Sequence, residues 1–140
     1  MHFPITQIVN SENETKQLAF EFATILEQGN LIAITGDLGT GKTFFVKSVA
    51  KYFGINEITS PTFSIVNTYN EKIKIYHFDF YRIKKEVELY DIGFDEYIND
   101  QSAIVFIEWA EMFEELLPND IYRIKIKNLG GSQREIKISK

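Results

Sequence analysis

The sequence predicts an α/β fold: a mixed sheet, parallel at its centre and antiparallel at its edges, flanked by helices. Three observations predict it. Leu31-Ile32-Ala33-Ile34 is a short apolar run that stops at a glycine-rich stretch. Beyond that stretch, Val46, Val49, Ala50 and Phe53 recur at i, i+3, i+4 and i+7, one face of a helix. Ala103-Ile104-Val105-Phe106-Ile107, the most apolar run in the chain, reads as a buried central strand. Two pairs of strand-like segments, 63–69 with 73–79 and 121–127 with 134–139, are joined by short polar or glycine turns and read as antiparallel hairpins.

The remaining elements follow in order. Phe3 to Val9 alternates as a strand does, and Ser11-Glu12-Asn13-Glu14 has the spacing of a capping box. It opens a helix expected to run to about Glu27, with Leu18, Phe22, Ile25 and Leu26 toward the core. The helix after the glycine-rich stretch closes near Gly54, a C′ residue. Thr59-Ser60-Pro61-Thr62-Phe63 is a loop in which Pro61 biases Ser60 toward extended backbone. Asn70-Glu71-Lys72 turns the first hairpin, and short helical pieces fill Lys85 to Ile98. A short helix from Trp109 to Leu116 stops before Pro118, and Gly130-Gly131-Ser132 turns the last hairpin. No repeat or linker interrupts the 140 residues, so one domain over 1–140 is expected.

The chemistry sits in Gly36-Asp37-Leu38-Gly39-Thr40-Gly41-Lys42-Thr43, which spells G-x-x-x-x-G-K-T, the phosphate-binding P-loop. Glycines let consecutive backbone N–H groups turn inward toward phosphate oxygens, at the positive end of the following helix. Lys42 is placed to reach the β- and γ-phosphates, and the Thr43 hydroxyl to hold Mg²⁺. Strand, glycine loop and helix are the context this motif requires, so the fold is expected to be P-loop NTPase-like.

Such a site needs an acid at the end of a neighbouring strand, to hold Mg²⁺ or order water. Two candidates stand open: Asp79, ending 73–78, and Glu108, ending 103–107, the latter favoured because bulky apolar residues run straight into it. Asp79 has a rival role, capping the turn before Arg82. Thr62, behind Pro61, stands where a hydroxyl would sense a γ-phosphate, as switch threonines do. His77 reads as a packed, hydrogen-bonded histidine on the strand face of Asp79, and Trp109 as core or as a stacking surface. Arg82, Arg123 and Arg134 are the three arginines, and scarcity makes Arg82 and Arg134 candidate clamps for phosphate or carboxylate.

Charge narrows the partners. The net charge is −5, and Glu86 to Asp120 holds eleven acids with no lysine or arginine. That segment repels phosphate backbones and reads either as a solvated surface or as a docking face for a basic protein. Absent cysteine fits a reducing compartment. Met1-His2-Phe3-Pro4 begins no secretory signal, and no run approaches the roughly 18 apolar residues of a membrane span. A cytoplasmic protein with no membrane partner is the expectation.

GDLGTGKT at 36–43, SPTF at 60–63, HFDFYR at 77–82 and IEWAE at 107–111 occur in the order and spacing of the bacterial TsaE family, also called YjeE. The chain resembles that family from the Ser11 helix to the last strand. The resemblance implies a small P-loop ATPase that takes ATP and Mg²⁺ and hydrolyses ATP slowly. It implies work with the TsaD and TsaB proteins in making threonylcarbamoyladenosine on tRNA, with tRNA met only through that complex. It assigns catalytic roles to Lys42, Glu108, Asp79 and Thr62, and metal roles to Thr43, Glu108 and Asp79. The nucleotide set it implies is Ser11, Asp37, Leu38, Gly39, Thr40, Gly41, Lys42, Thr43, Phe44 and Arg134. Two other readings compete. A small-molecule kinase needs a lid and several cationic clamps, which three arginines poorly supply. A nucleotide-dependent binding module needs ATP only as a docking signal.

Overall fold

The structure is a computed structural model and describes residues 1–61 and 64–140. Seven strands form one sheet: β1 (Ile5–Val9), β2 (Leu31–Thr35), β3 (Val66–Asn70), β4 (Lys74–Asp79), β5 (Ala103–Glu108), β6 (Tyr122–Gly130) and β7 (Gln133–Ser139). Their order is β1-β7-β6-β2-β5-β4-β3. Strands β6, β2, β5 and β4 run parallel to their neighbours within that group, while β1–β7, β6–β7 and β3–β4 pair antiparallel. The predicted parallel centre and antiparallel edges are present.

Helices cover the faces unevenly. α1 (Glu12–Ala23) and α2 (Lys42–Tyr52) pack on one face, where Leu18, Phe22, Phe45 and Val49 meet Ile32, Ile34, Phe106 and Ile124. Burying side chains of this size contributes ~1.5–3 kcal/mol each. α3 (Val87–Asp91), α4 (Phe94–Ile98) and two 3-10 segments, Phe80–Arg82 and Ala110–Leu116, cover the other face over β4, β5 and β2. All six residues of β5 are buried, including Glu108 at 3% exposure.

Local signals set most boundaries. Ser11 caps α1 by accepting the N–H of Glu14. Gly54, at φ +85°, ends α2 in a Schellman turn, with Gly54 N–H on the Lys51 carbonyl and Ile55 N–H on that of Ala50. Two expectations fail. α1 ends at Ala23 rather than Glu27: the next turns tighten to Ile25–Phe22 and Leu26–Ala23 bonds, and Gly29 N–H bonds the Ala103 carbonyl at 2.7 Å. That long-range bond turns the chain into β2 before the helix can continue. The segment after Trp109 is 3-10 and breaks at Phe113 (φ −141°, ψ 51°), so it is no regular helix. Among the described residues no helix is long and apolar enough to cross a membrane.

Candidate functional site

The C-terminal ends of β2, β5 and β4 lie side by side, the place where open α/β sheets bind ligands. From β2 the chain enters the glycine loop. Gly36, Gly39 and Gly41 hold φ of +148°, +76° and +102°. At Gly36 a Cβ would lie 2.5 Å from the Ile126 carbonyl oxygen and 2.9 Å from Thr40 Oγ1, so only glycine lets the loop seat against β6.

Lys42 opens α2 and is 5% exposed. Its Nζ donates to the carbonyls of Gly36 at 2.5 Å and Asp37 at 2.8 Å and stands 4.0 Å from the centre of the Trp109 ring. Burial lowers its pKa, against the opposing fields of Glu111, Glu108, Asp37 and Asp79. A buried ammonium held by its own loop, with backbone N–H groups beside it, suits an anion. Trp109 is partly core, packed against the second core cluster, and partly a wall of the loop. It is half-buried at φ +57°, with the Tyr81 ring tilted against it at 4.7 Å and the Lys42 ammonium over its ring. Positive φ at a bulky residue stores strain, and here it turns the chain sharply off β5 to lay the indole beside the loop.

Thr43 and Glu108 meet directly, the hydroxyl donating to Glu108 Oε1 at 2.7 Å. Thr43 Oγ1 also lies 3.1 Å from Ser60 Oγ. The second oxygen of Glu108 takes His77 Nε2 at 2.5 Å, and His77 is fully buried with its Nδ1 unpartnered. With no acceptor at Nδ1, the tautomer that fits carries its proton on Nε2 and donates it to the carboxylate. His77 is thus packed and hydrogen-bonded, as the sequence suggests, and it fixes the rotamer of Glu108. Replacing His77 with leucine leaves a buried carboxylate oxygen without its donor, expected to cost about 1–3 kcal/mol of stability. Urea unfolding measures it, and an unchanged midpoint would remove His77 from this role.

Asp79 pairs with Glu108 in the β4–β5 register, so the two side chains share a face. It also caps the 3-10 turn, Oδ1 accepting Tyr81 N–H at 3.0 Å, with Arg82 Nε 3.9 Å from Oδ2. The capping role expected of Asp79 is present, and its carboxylate lies on the same strand face as Glu108. Burial raises its pKa most, the Tyr81 bond lowers it, and the Glu108 field raises it further. An acid with a raised folded pKa is undisturbed below its unfolded value and destabilises progressively as pH rises through the folded one. Asp79→Asn is accordingly expected to raise the thermal midpoint at pH 7, with the gain vanishing as pH falls through the carboxylate range. A variant less stable than wild type at pH 7 would contradict this.

On the other side of the loop, Ser11, Gly39, Thr40, Gly41, Phe44 and Arg134 line one cavity of about 250 Å³. Arg134 Nε donates to the Thr40 carbonyl at 3.2 Å, and the buried Thr40 hydroxyl has no partner. Asp37 and Leu38 form the exposed lip of the loop, Leu38 being 78% exposed. Thr62 lies outside the described residues. The structure thus brings the other predicted residues to one end of the sheet, in two neighbouring compartments. It adds Ser60 beside Thr43, and Glu111, whose Oε2 accepts Gly36 N–H at 3.3 Å. Their hydroxyl and carboxylate stood inside the SPTF and IEWAE blocks, but nothing local to them signals the contact.

The donor set fits Mg²⁺, which keeps few protein ligands and several waters. Thr43 and Glu108 already converge, while no cluster of three or more His, Cys, Asp or Glu residues able to hold a metal occurs among the described residues. Such a pair is incomplete without phosphate oxygens, which the adjoining loop is shaped to receive.

A family model described as "Threonylcarbamoyl adenosine biosynthesis protein TsaE" matches residues 9–136. A protein of Rickettsia bellii named tRNA threonylcarbamoyladenosine biosynthesis protein TsaE is 42% identical over 130 residues, 91% of this chain and 89% of that protein. One of the same name from Bacillus subtilis is 43% identical over 130 residues, 91% of this chain and 80% of that protein. The crystal structure of Bacillus subtilis YdiB superposes with a TM-score of 0.81 at 33% identity, covering 99% of this chain and 87% of that one.

Proposed function

The chain belongs to the TsaE family of threonylcarbamoyl adenosine biosynthesis proteins, and on that premise we propose that it is a Mg²⁺-dependent ATPase serving this modification of tRNA. The observation that carries the reading is the Thr43–Glu108 contact of 2.7 Å at the mouth of a P-loop whose lysine is buried. Loop N–H groups and Lys42 receive the β- and γ-phosphates, Lys42 exchanging loop carbonyls for phosphate oxygens. Thr43 and Glu108, with Asp79 beside them, would hold Mg²⁺, which when bound would supply positive charge against the phosphates. Glu108, clamped by His77, is positioned to order water toward the γ-phosphate. The 250 Å³ cavity between Ser11 and Arg134 takes the nucleoside. Thr62 belongs to this reading as the γ-phosphate sensor.

Hydrolysis is slow in this account and acts on a complex with TsaD and TsaB, through which tRNA is met. The acid-rich segment from Glu86 to Asp120 offers exposed Asp91, Asp95, Glu96 and Glu115 to a basic partner surface. A cytoplasmic setting follows from this role. The experiment is reconstitution of the tRNA modification with both partner proteins. The expected outcome is multiple turnover only with this chain and ATP. Equal modification in its absence would overturn the proposal.

A further inference from the structure

The net charge of −5 hides a sharp division. Residues 121–140 hold six lysines and arginines against one acid, Glu135, a net +5, whereas residues 1–120 carry −10. Strands β6 and β7 place four of these cations on one face, with the acid Glu135 opposite Lys127 among them. Tyr122, Ile124, Ile126, Ile136 and Ile138 point into the core under α1 and α2. By strand alternation, Arg123, Lys125, Lys127 and Lys137 emerge on the opposite face. The helices on that face cover β4, β5 and β2 and leave β6, β7 and β1 open.

Four features make this face more than scattered surface charge. Lys125 and Lys137 are direct cross-strand partners, an arrangement that destabilises a sheet by like-charge repulsion. Lys125, Lys127 and Lys137 are exposed, and none makes an ion pair or side-chain hydrogen bond among the described residues. A cleft of about 210 Å³ lies where Arg123, Lys125 and Lys137 meet the hydroxyl-bearing Thr35 and Ser139. Thr35 pairs with Lys125 and directly precedes Gly36, so the face begins one residue from the phosphate loop.

We propose that the open half of the sheet is a binding face for the phosphate backbone of RNA, and, resting on the function proposed above, that its ligand is transfer RNA, touched directly by this face as well as met through the partner complex. Lysines at i and i+2 along β6 stand roughly 6.8 Å apart, with Lys137 alongside on β7 and hydroxyls between strands. This is a set of backbone contacts, which position a nucleic acid without reading its sequence. An acidic protein partner is disfavoured because stable protein interfaces centre on buried aromatic or aliphatic anchors, and among the described residues the large apolar side chains exposed on these strands are Ile8 and, next to the β6–β7 turn, Leu129. The Lys125–Lys137 opposition is then a stability sacrifice made for an anion that lies across both.

The test titrates the full chain with purified transfer RNA at several salt concentrations, and with a fluorescent ATP analogue in the same preparation. Three unpaired lysines predict a slope of log affinity against log salt between about −2 and −3. The Lys125→Glu/Lys137→Glu double variant is expected to bind RNA more than tenfold more weakly at low salt, with the slope flattened by about 1.5. Its affinity for the ATP analogue is expected to be unchanged. Lys125→Glu alone is expected to raise the thermal midpoint, since it removes the repulsion from Lys137, and to weaken RNA binding at the same time. A misfolding explanation predicts the reverse. Undetectable RNA binding by the wild type, equal RNA affinity of wild type and double variant, or polyglutamate bound as tightly as transfer RNA would each overturn the proposal. RNA binding without ATP-analogue binding would instead retain this face and discard the ATPase reading.

Discussion

Replacing Lys42 with alanine is expected to weaken ATP binding roughly 10- to 150-fold, the equivalent of the ~1.5–3 kcal/mol that a charge-assisted hydrogen bond contributes. The fold should survive the change. Lys42 belongs to neither core cluster, and among the described residues its ammonium is held by two loop carbonyls and the Trp109 ring. Burial already disfavours that charge, so its removal relieves a penalty even as it loses those contacts. Competition with a fluorescent nucleotide, alongside a thermal melt, separates the two effects. Unchanged affinity, or a collapsed melt, would contradict the account.

Glu108→Gln is expected to reduce ATP hydrolysis by roughly 10²-fold or more, while leaving stability and ATP affinity much closer to wild type. The amide matches the carboxylate in shape. Its oxygen can still accept from His77 Nε2, and its NH₂ can donate to the Thr43 hydroxyl, which in turn can donate to Ser60 Oγ, so the buried cluster stays satisfied. Only the negative charge is lost, and with it the hold on Mg²⁺. Steady-state phosphate release is the measurement. Hydrolysis at the wild-type rate would move the catalytic acid to Asp79, which shares the strand face but is already engaged in capping the Phe80–Arg82 turn.

The parts of the site legible in the sequence were those encoded by spacing within one element. The glycine loop, the helix that follows it and the apolar run into Glu108 each depend on near neighbours, so their positions could be read directly. The sheet pattern was legible for the same reason: β5 is apolar throughout, whereas β6 and β7 alternate. Contacts between strands were not. His77 reaches Glu108 across 31 residues, and only the β4–β5 register brings them together. Ser60 reaches Thr43 across 17 residues. Trp109 reads as core or as a stacking surface, and it packs against the second core cluster while lining the loop; the positive φ that lets it do both has no signal in a tryptophan. The early end of α1 likewise depends on a bond from Gly29 to Ala103, which local helix propensity cannot foresee.

The central claim is that one end of this sheet is a Mg²⁺-dependent ATP site, and phosphate release by the purified chain at varied Mg²⁺ tests it most directly. The expected result is slow, saturable hydrolysis that disappears when Mg²⁺ is chelated, returns when it is restored, and stays lower by roughly 10²-fold or more at every Mg²⁺ concentration in Glu108→Gln. Hydrolysis indifferent to Mg²⁺, or no hydrolysis at any Mg²⁺ concentration in the wild type, would contradict it.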